Sequence, residues 1–282
     1  MPYANIGDIK LYYEIYGNEL ELLDDSVHQK PSLIVLHGSG TDHTFHVEFS
    51  RDCAAFAQVI FIDRRGCGRS IDENPAHWSV AQWAKDVHLF CEALGLEKPF
   101  VKGISLGGLV AMQFAIDYPQ TAGGIILVDT EAYFNKEGIV AAHQRKGGGK
   151  AAELVQKFLD ASPHPPEIMR EFFNVCLPLY SHRPFPVAYF KRAIINPAVS
   201  DHFKAEQATF NCLHELHKIT SPVLYLSNTT NPLHLLETAQ ETAQAMSNAD
   251  VKFVSFPNCG FVQMDAKEAA IKEIQKFIQR GS

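Results

Sequence analysis

No C-x-x-C pair occurs in this 282-residue chain, whose six cysteines (Cys53, Cys67, Cys91, Cys176, Cys212 and Cys259) lie far apart. That spacing argues against a zinc knuckle or a disulfide framework and predicts reduced thiols in a cytoplasmic protein. No apolar run approaches the ~18 residues needed to span a bilayer, and Met1–Asn5 lacks the basic-then-apolar order of a secretory signal. Positive charge is short as well: 25 basic residues stand against 32 acidic ones, a net charge of −7. The chain therefore carries no cationic footprint for nucleic acid, and no membrane partner is expected. Dinucleotide fingerprints, phosphate loops and clusters of metal ligands are absent, so neither cofactor nor metal is implied. His214 and His217, three residues apart, have no identifiable third ligand and read as surface residues.

Apolar residues are plentiful, at 46% with 11% aromatic, enough for one packed α/β core. Residues 3–17 alternate polar and apolar and predict an antiparallel strand pair, whereas Asn18–Lys30 reads as an exposed acidic loop. Ser32–Leu36, Val59–Ile62, Phe100–Ile104 and Ile125–Val128 read as short apolar runs, the pattern of strands buried on both faces, and the rhythm resumes with Val223–Leu226 and the strand Val251–Phe256. Helical spacing over Ser79–Leu94, Leu109–Tyr118, Leu235–Met246 and Ala266–Gln279 separates them. This alternation predicts a doubly wound, mostly parallel sheet of about eight strands. Between 131 and 216 the rhythm stops. Helical segments broken by Gly147–Gly149 and by prolines carry Phe158, Phe172, Phe173, Tyr180, Phe185, Tyr189, Phe190, Phe203 and Phe210. The expected organisation is a core of 1–130 and 217–282 with a helical cap, 131–216, whose rings are mostly cap core, a few facing a ligand.

The stretch with the clearest chemistry is Gly103-Ile104-Ser105-Leu106-Gly107-Gly108, placed between a buried strand and a helix. Strand, sharp turn and helix make a nucleophile elbow, which exposes a serine hydroxyl on a strained backbone; glycines at minus two and plus two let the turn close.

With the elbow, two further motifs resemble the α/β-hydrolase superfamily. His37-Gly38-Ser39-Gly40 is similar to its oxyanion loop, which implies that the backbone N–H groups of Ser39 and Leu106 cradle an oxyanion. In that loop the histidine, here His37, is structural. Asp63-Arg64-Arg65-Gly66-Cys67-Gly68-Arg69-Ser70 resembles the family's D-x-R-G-x-G-x-S turn, whose arginines are expected in salt bridges. The resemblance also marks two departures. Asn231 stands where the family's triad aspartate belongs, and Cys259-Gly260-Phe261 keeps the frame of C-G-H without the histidine: either Phe261 replaces it, or one residue is deleted and Phe261 is the residue that normally follows it. Without a base a serine hydroxyl is a poor nucleophile at neutral pH. Candidate substitutes are His234, His43 and His46 as bases and Asp129, which ends the strand after the elbow helix, as an alternative acid; each also has a structural reading. Cys259 reads as packing.

Three functions follow as expectations. The first is an enzyme acting through Ser105 on a small apolar carbonyl compound of ester, lactone, thioester or diketone type, slowly or with a relocated base. The second is a non-hydrolytic lyase, isomerase or cyclase on the same scaffold. The third is a non-catalytic ligand sensor. Oligomeric state cannot be read from the residues.

Overall fold

The computed structural model describes the chain apart from residues 1, 24–25, 161–162, 164, 185–187, 189–190 and 281–282. Phe185, Tyr189 and Phe190 lie outside the described residues, as do Asp24 and Asp25.

Among the described residues ten strands form: β1 (Tyr3–Asn5), β2 (Lys10–Tyr16), β3 (Leu20–Leu23), β4 (Ser26–Gln29), β5 (Ser32–Leu36), β6 (Gln58–Ile62), β7 (Phe100–Ile104), β8 (Gly124–Val128), β9 (Val223–Ser227) and β10 (Val251–Ser255). Eight of them make one sheet in the order β1-β2-β6-β5-β7-β8-β9-β10. β1 and β2 are antiparallel to each other and β2 to β6, and from β6 to β10 every pairing is parallel. β3 and β4 pair only with each other, so the expectation of a loop over Asn18–Lys30 is corrected to a hairpin. The pattern gave no warning because nothing covers it: Leu20, Leu22 and Val27 are exposed, so no buried face imposes an apolar period.

Alternate residues of the central strands feed two cores. Ile34, Leu36, Ile60 and Ile62 point with Val101 and Ile125 into the layer covered by the helices Val80–Leu94 and Leu106–Asp117. Leu33, Val35, Val59 and Phe61 point into the opposite layer, closed by Ile274, Phe277 and Ile278 of the helix Lys267–Arg280. Burial on both faces is why these runs read as continuously apolar. Ser79 caps the first of these helices by accepting from Gln82 N–H at 3.2 Å, and Gly95 ends it at φ 62°.

Between β8 and β9 the described chain is helical, with one isolated bridge between Tyr133 and Asn211. Helical structure runs over Lys136–Asp160 with a kink at Gly148 (φ 74°), where the glycine run predicted a break. Phe158 and Phe172 stack at 3.9 Å, and Tyr180 packs on Phe172, so these rings form a core of their own.

Strand order sets what meets at the sheet's carboxyl edge. β5 pairs with β7 at Leu36↔Gly103, β7 with β8 at Ile104↔Val128, and β8 with β9 at Val128↔Leu226. The segments that follow, starting at His37, Ser105, Asp129 and Asn228, are therefore neighbours. β5 has β6 on one side and β7 on the other, so the strand order reverses there, a topological switch point where open α/β sheets bind ligands.

Candidate functional site

Ser105 sits at φ 50°, ψ −120°, a conformation rare for a residue with a Cβ. Its neighbours show what the turn demands. A Cβ on Gly103 would lie 2.2 Å from the Gly107 carbonyl oxygen, and one on Gly107 would lie 2.3 Å from the Leu36 carbonyl oxygen. The turn is pinned by Ser105 N–H donating to Val128 O at 3.1 Å and by Thr130 Oγ1 donating to Ser105 O at 2.8 Å. Ser105 Oγ has no hydrogen-bond partner among the described residues.

The facing loop is fixed from behind. His37 Nε2 accepts from Arg64 N–H at 3.2 Å, which leaves its Nδ1–H to donate to Gly38 O at 2.9 Å. Arg64 Nη2 donates to the same carbonyl at 2.9 Å, and Gly38 N–H donates to His46 Nε2 at 3.2 Å. In a trans peptide C=O and N–H point opposite ways. Holding Gly38 O therefore aims the N–H of Ser39 away from Arg64. Ser39 and Leu106 both line the cleft that holds Ser105.

That cleft has about 80 Å³ of room for water-sized groups. Leu109, Phe134, Phe203, Phe210 and Leu233 give it apolar walls, and Glu131, His234 and Tyr133 are its charged or titratable members. Of the rings expected over Ser105, Phe203 and Phe210 are there, while Phe158, Phe172 and Tyr180 belong to the helical insertion's own core.

His234 Nδ1 lies 3.0 Å from Glu131 Oε2, with both side chains largely buried. With Nδ1–H donating to the carboxylate, Nε2 is the nitrogen that can take a proton. Burial alone would lower the pKa of His234, but the Glu131 carboxylate outweighs it, with Asp129 adding, so the net shift is upward. Glu131 was missed in the sequence. Its only signal was a place three residues beyond the end of β8, across from the loop after β9.

The other candidate bases lie elsewhere. His43 Nδ1 pairs with Asp63 at 2.7 Å and its Nε2 lies 3.2 Å from Glu14, so the ring is locked inside the Asp63 turn. His46 is pushed down to about 3 by burial, with the Lys102 ammonium next, and is neutral. Its Nε2 is taken by Gly38 N–H and its Nδ1 approaches Gln263 Oε1 at 3.4 Å. Neither histidine lines the Ser105 cleft. Asp42, His43 and Asp63 cluster closely enough for a metal, but their oxygens are already filled by backbone and hydroxyl donors, including His43 N–H, Arg69 N–H, Thr44 N–H and Ile194 N–H. His214 and His217 are exposed on a 3-10 turn.

Asp129, at φ 44°, is fully buried, and burial raises its pKa to about 6. Asn228 Nδ2 donates to one of its oxygens at 2.9 Å and Val262 N–H to the other at 2.9 Å. The carboxylate thus holds the segment after Phe261 instead of orienting an imidazole. Asn231 Oδ1 accepts from Leu233 N–H at 2.9 Å, while its buried Nδ2 has no partner among the described residues. Phe261 packs with Tyr180, Phe45, Phe49 and Met264, and its ring centroid is 6.3 Å from that of His234. Cys259 is buried and its thiol is pushed well up, by burial first and by Asp129 and Asp265 after that, as expected of packing. No helix among the described residues is long and apolar enough to cross a membrane.

A family model described as alpha/beta hydrolase fold matches residues 31–267. Among curated proteins, the chain is 32% identical over 130 residues to a provisionally named carbamate hydrolase, RutD, of Azorhizobium caulinodans, covering 46% of this chain and 44% of that one. RutD of an Escherichia coli O1:K1 strain is 31% identical over 116 residues, 41% of each chain. The chain thus spans under half the length of these relatives. Among solved structures, an enol-lactonase of Burkholderia xenovorans superposes with a TM-score of 0.72 at 19% identity, over 99% of this chain and 100% of that one. Proline iminopeptidase of Mycobacterium smegmatis gives 0.77 at 18% identity, over 99% and 98%.

Proposed function

Given that the chain belongs to the alpha/beta hydrolase fold family, we propose that it is a hydrolase of small apolar acyl compounds, of ester, lactone, thioester or diketone type, working through a relocated base. Ser105 is the nucleophile in this reading, the N–H groups of Ser39 and Leu106 form the oxyanion hole, and His234, oriented by Glu131, replaces the histidine that Phe261 displaces. The observation that carries it is the sharing of one cleft: Ser105, Ser39, Leu106, Glu131 and His234 all line it. A carboxylate bonded to Nδ1 and a free Nε2 is the arrangement that makes imidazole a general base. Carbamates and lactones, named for the relatives and a structural neighbour, are acyl compounds that such a site would process. The helices between β8 and β9 act here as a cap that supplies apolar walls.

Hydrolysis would proceed by proton transfer from Ser105 Oγ to His234 Nε2 as Oγ attacks the carbonyl carbon. The oxyanion is held at Ser39 and Leu106, and water then releases the acyl group. A second reading draws on the lack of a hydrogen bond from any imidazole to Ser105 Oγ: two aimed N–H groups could polarise a carbonyl for a lyase or isomerase step without acyl-enzyme chemistry.

A fluorophosphonate probe separates the two. Prompt labelling of the wild-type protein, abolished in Ser105→Ala and slowed ~100-fold or more in His234→Ala, is the expected result. A wild-type protein that resists the probe would defeat the hydrolytic reading.

A further inference from the structure

Gly38 is the hinge on which the Ser39 N–H turns. Lacking a Cβ, it leaves φ and ψ free unless its two peptide planes are held from outside. The plane after it is held at the carbonyl, by Arg64 Nη2 at 2.9 Å and by His37 Nδ1–H at 2.9 Å. The plane before it has a holder of its own. Gly38 N–H donates to His46 Nε2 at 3.2 Å, and His46 Nδ1 approaches Gln263 Oε1 at 3.4 Å. His46 lies in the helix Thr44–Ser50 and Gln263 in the short helix Val262–Asp265, and their side chains are buried, at 2% and 6% exposure. Gln263 is fixed in turn, since Val262 N–H, one residue before it, donates to Asp129 at 2.9 Å. The segment just beyond Phe261 thus reaches the Ser39 loop through one imidazole.

Only one form of that ring can serve. Nε2 accepts from Gly38 when it carries a lone pair, so the ring must be neutral with its proton on Nδ1, where Gln263 Oε1 takes it. An imidazolium would turn Nε2–H against Gly38 N–H. The surroundings oppose the extra proton: burial first, the Lys102 ammonium on β7 next, then Arg64 after β6 and His43 on the same helix, whereas the bond to Gln263 favours the charged ring. His37 in the facing loop is itself held well below its ordinary value, by burial and then by Arg64. Lys102 is buried and donates to Ser50 Oγ at 2.8 Å, and neither it nor Arg64 has an ion pair among the described residues. Arg64 departs here from the salt bridge expected of it, which Arg65 does make, to Asp86, Asp8 and Asp72 at 2.8–2.9 Å. Arg64 Nε and Nη1 are buried without a hydrogen-bond partner.

We propose that His46 and Gln263 are positioning residues for the reaction at Ser105: Gln263 keeps His46 in the neutral Nδ1–H form, and His46 locks the peptide plane before Gly38, so that the Ser39 N–H stays aimed at the developing oxyanion. The inference rests on the hydrolase reading for its effect on rate, while the state of the ring is measured without turnover.

Nitrogen NMR of histidine-labelled protein reads the ring directly. His46 is expected to be neutral, protonated on Nδ1 and free of titration between about pH 5 and 9. His46→Leu removes the acceptor and is expected to lower kcat for a simple ester about 100-fold with KM little changed, the scale of a misplaced oxyanion donor. His46→Gln, whose amide oxygen falls near the place of Nε2, should recover most of that loss. Gln263→Glu separates positioning from packing. It keeps the shape but sets a carboxylate against Nδ1, so the ring should become an imidazolium and kcat should fall further than in Gln263→Met, which keeps the volume and adds no charge. Packing alone predicts the reverse order. A wild-type His46 protonated on Nε2, or equal kcat in His46→Leu and His46→Gln, would overturn the inference, and so would full kcat in Gln263→Glu with His46 charged. A wild-type protein that resists the fluorophosphonate probe while His46 shows the neutral Nδ1–H form would defeat the hydrolase reading and leave the assigned state of the ring standing.

Discussion

At the scale of single residues, the proposed mechanism makes His234 set the pH behaviour. Its pKa is held above the ordinary 6.5 by the Glu131 carboxylate, against burial. The imidazole accepts a proton only when neutral. The kcat/KM for an uncharged ester is therefore expected to rise with pH along an acid limb whose midpoint lies above 6.5. Glu131→Gln removes the opposing charge and leaves burial to act, so the limb should move to lower pH while the plateau falls about tenfold or more, since the ring loses its orienting partner. A limb that stays in place in that variant would assign the base elsewhere. The same proton links to stability. The His234–Glu131 ion pair contributes fully below pH 6.5 and is lost as pH rises through the folded-state value, so the catalytic form is the less stabilised one.

Asn231 tests the opposite kind of change. Replacing its unpartnered Nδ2 by a carboxylate oxygen places a charge 96% out of solvent with one N–H donor, from Leu233. Asn231→Asp is expected to lower stability by ~1–3 kcal/mol at neutral pH, with no gain in esterase rate, because Phe261 still occupies the place of its imidazole partner. Thermal unfolding and ester hydrolysis of the purified variant check both halves.

Elements were more legible than side chains. Six strands and four helices can be read from apolar runs and 3.6-residue spacing because burial on one or two faces writes itself into the residue pattern. The β3–β4 hairpin could not be read, since its exposed Leu20, Leu22 and Val27 answer to no core. The elbow was legible through glycine: Gly103 and Gly107 are there because backbone atoms come within 2.3 Å of where a Cβ would be. Glu131 and the unpaired state of Arg64 were not legible, because each depends on which neighbours a strand order brings together, and charge alone carries no address. The elbow predicts its own fragility. In Gly107→Ala the new methyl meets the Leu36 carbonyl oxygen, a backbone atom that cannot swing aside, so β5 and the Ser39 loop must shift. We expect fluorophosphonate labelling to fall by two orders of magnitude or more, on the scale of misplacing an oxyanion donor, together with a lower Tm. Normal labelling in a folded Gly107→Ala would mean the turn is less crowded than drawn.

At the scale of the whole molecule, the helices between β8 and β9 must be held over the cleft for Phe203 and Phe210 to wall it. Asp265 does much of this. Its carboxylate accepts from Gly260 N–H on the core side and from Ser181 Oγ, His182 N–H and Arg183 N–H on the insertion side, at 2.8–3.3 Å. Lys146 adds a second strap by donating to Leu179 O and Thr230 O. Burial works to raise the Asp265 pKa, but those four donors outweigh it and the net shift is downward. A depressed carboxyl stabilises fully above its unfolded value of about 3.8 and loses that contribution only as pH falls through a still lower one. The insertion should accordingly stay docked at pH 5 and loosen in stronger acid. Asp265→Ala removes the hub at every pH. It is expected to cost ~1.5–3 kcal/mol through several orphaned donors, to open the segment 177–184 to limited proteolysis, and to raise KM for apolar esters more than it lowers kcat, because the walls move while Ser105, His234 and Glu131 keep their places. If kcat falls and KM does not, Asp265 supports the reacting groups themselves, and the division of labour between core and insertion drawn here is wrong.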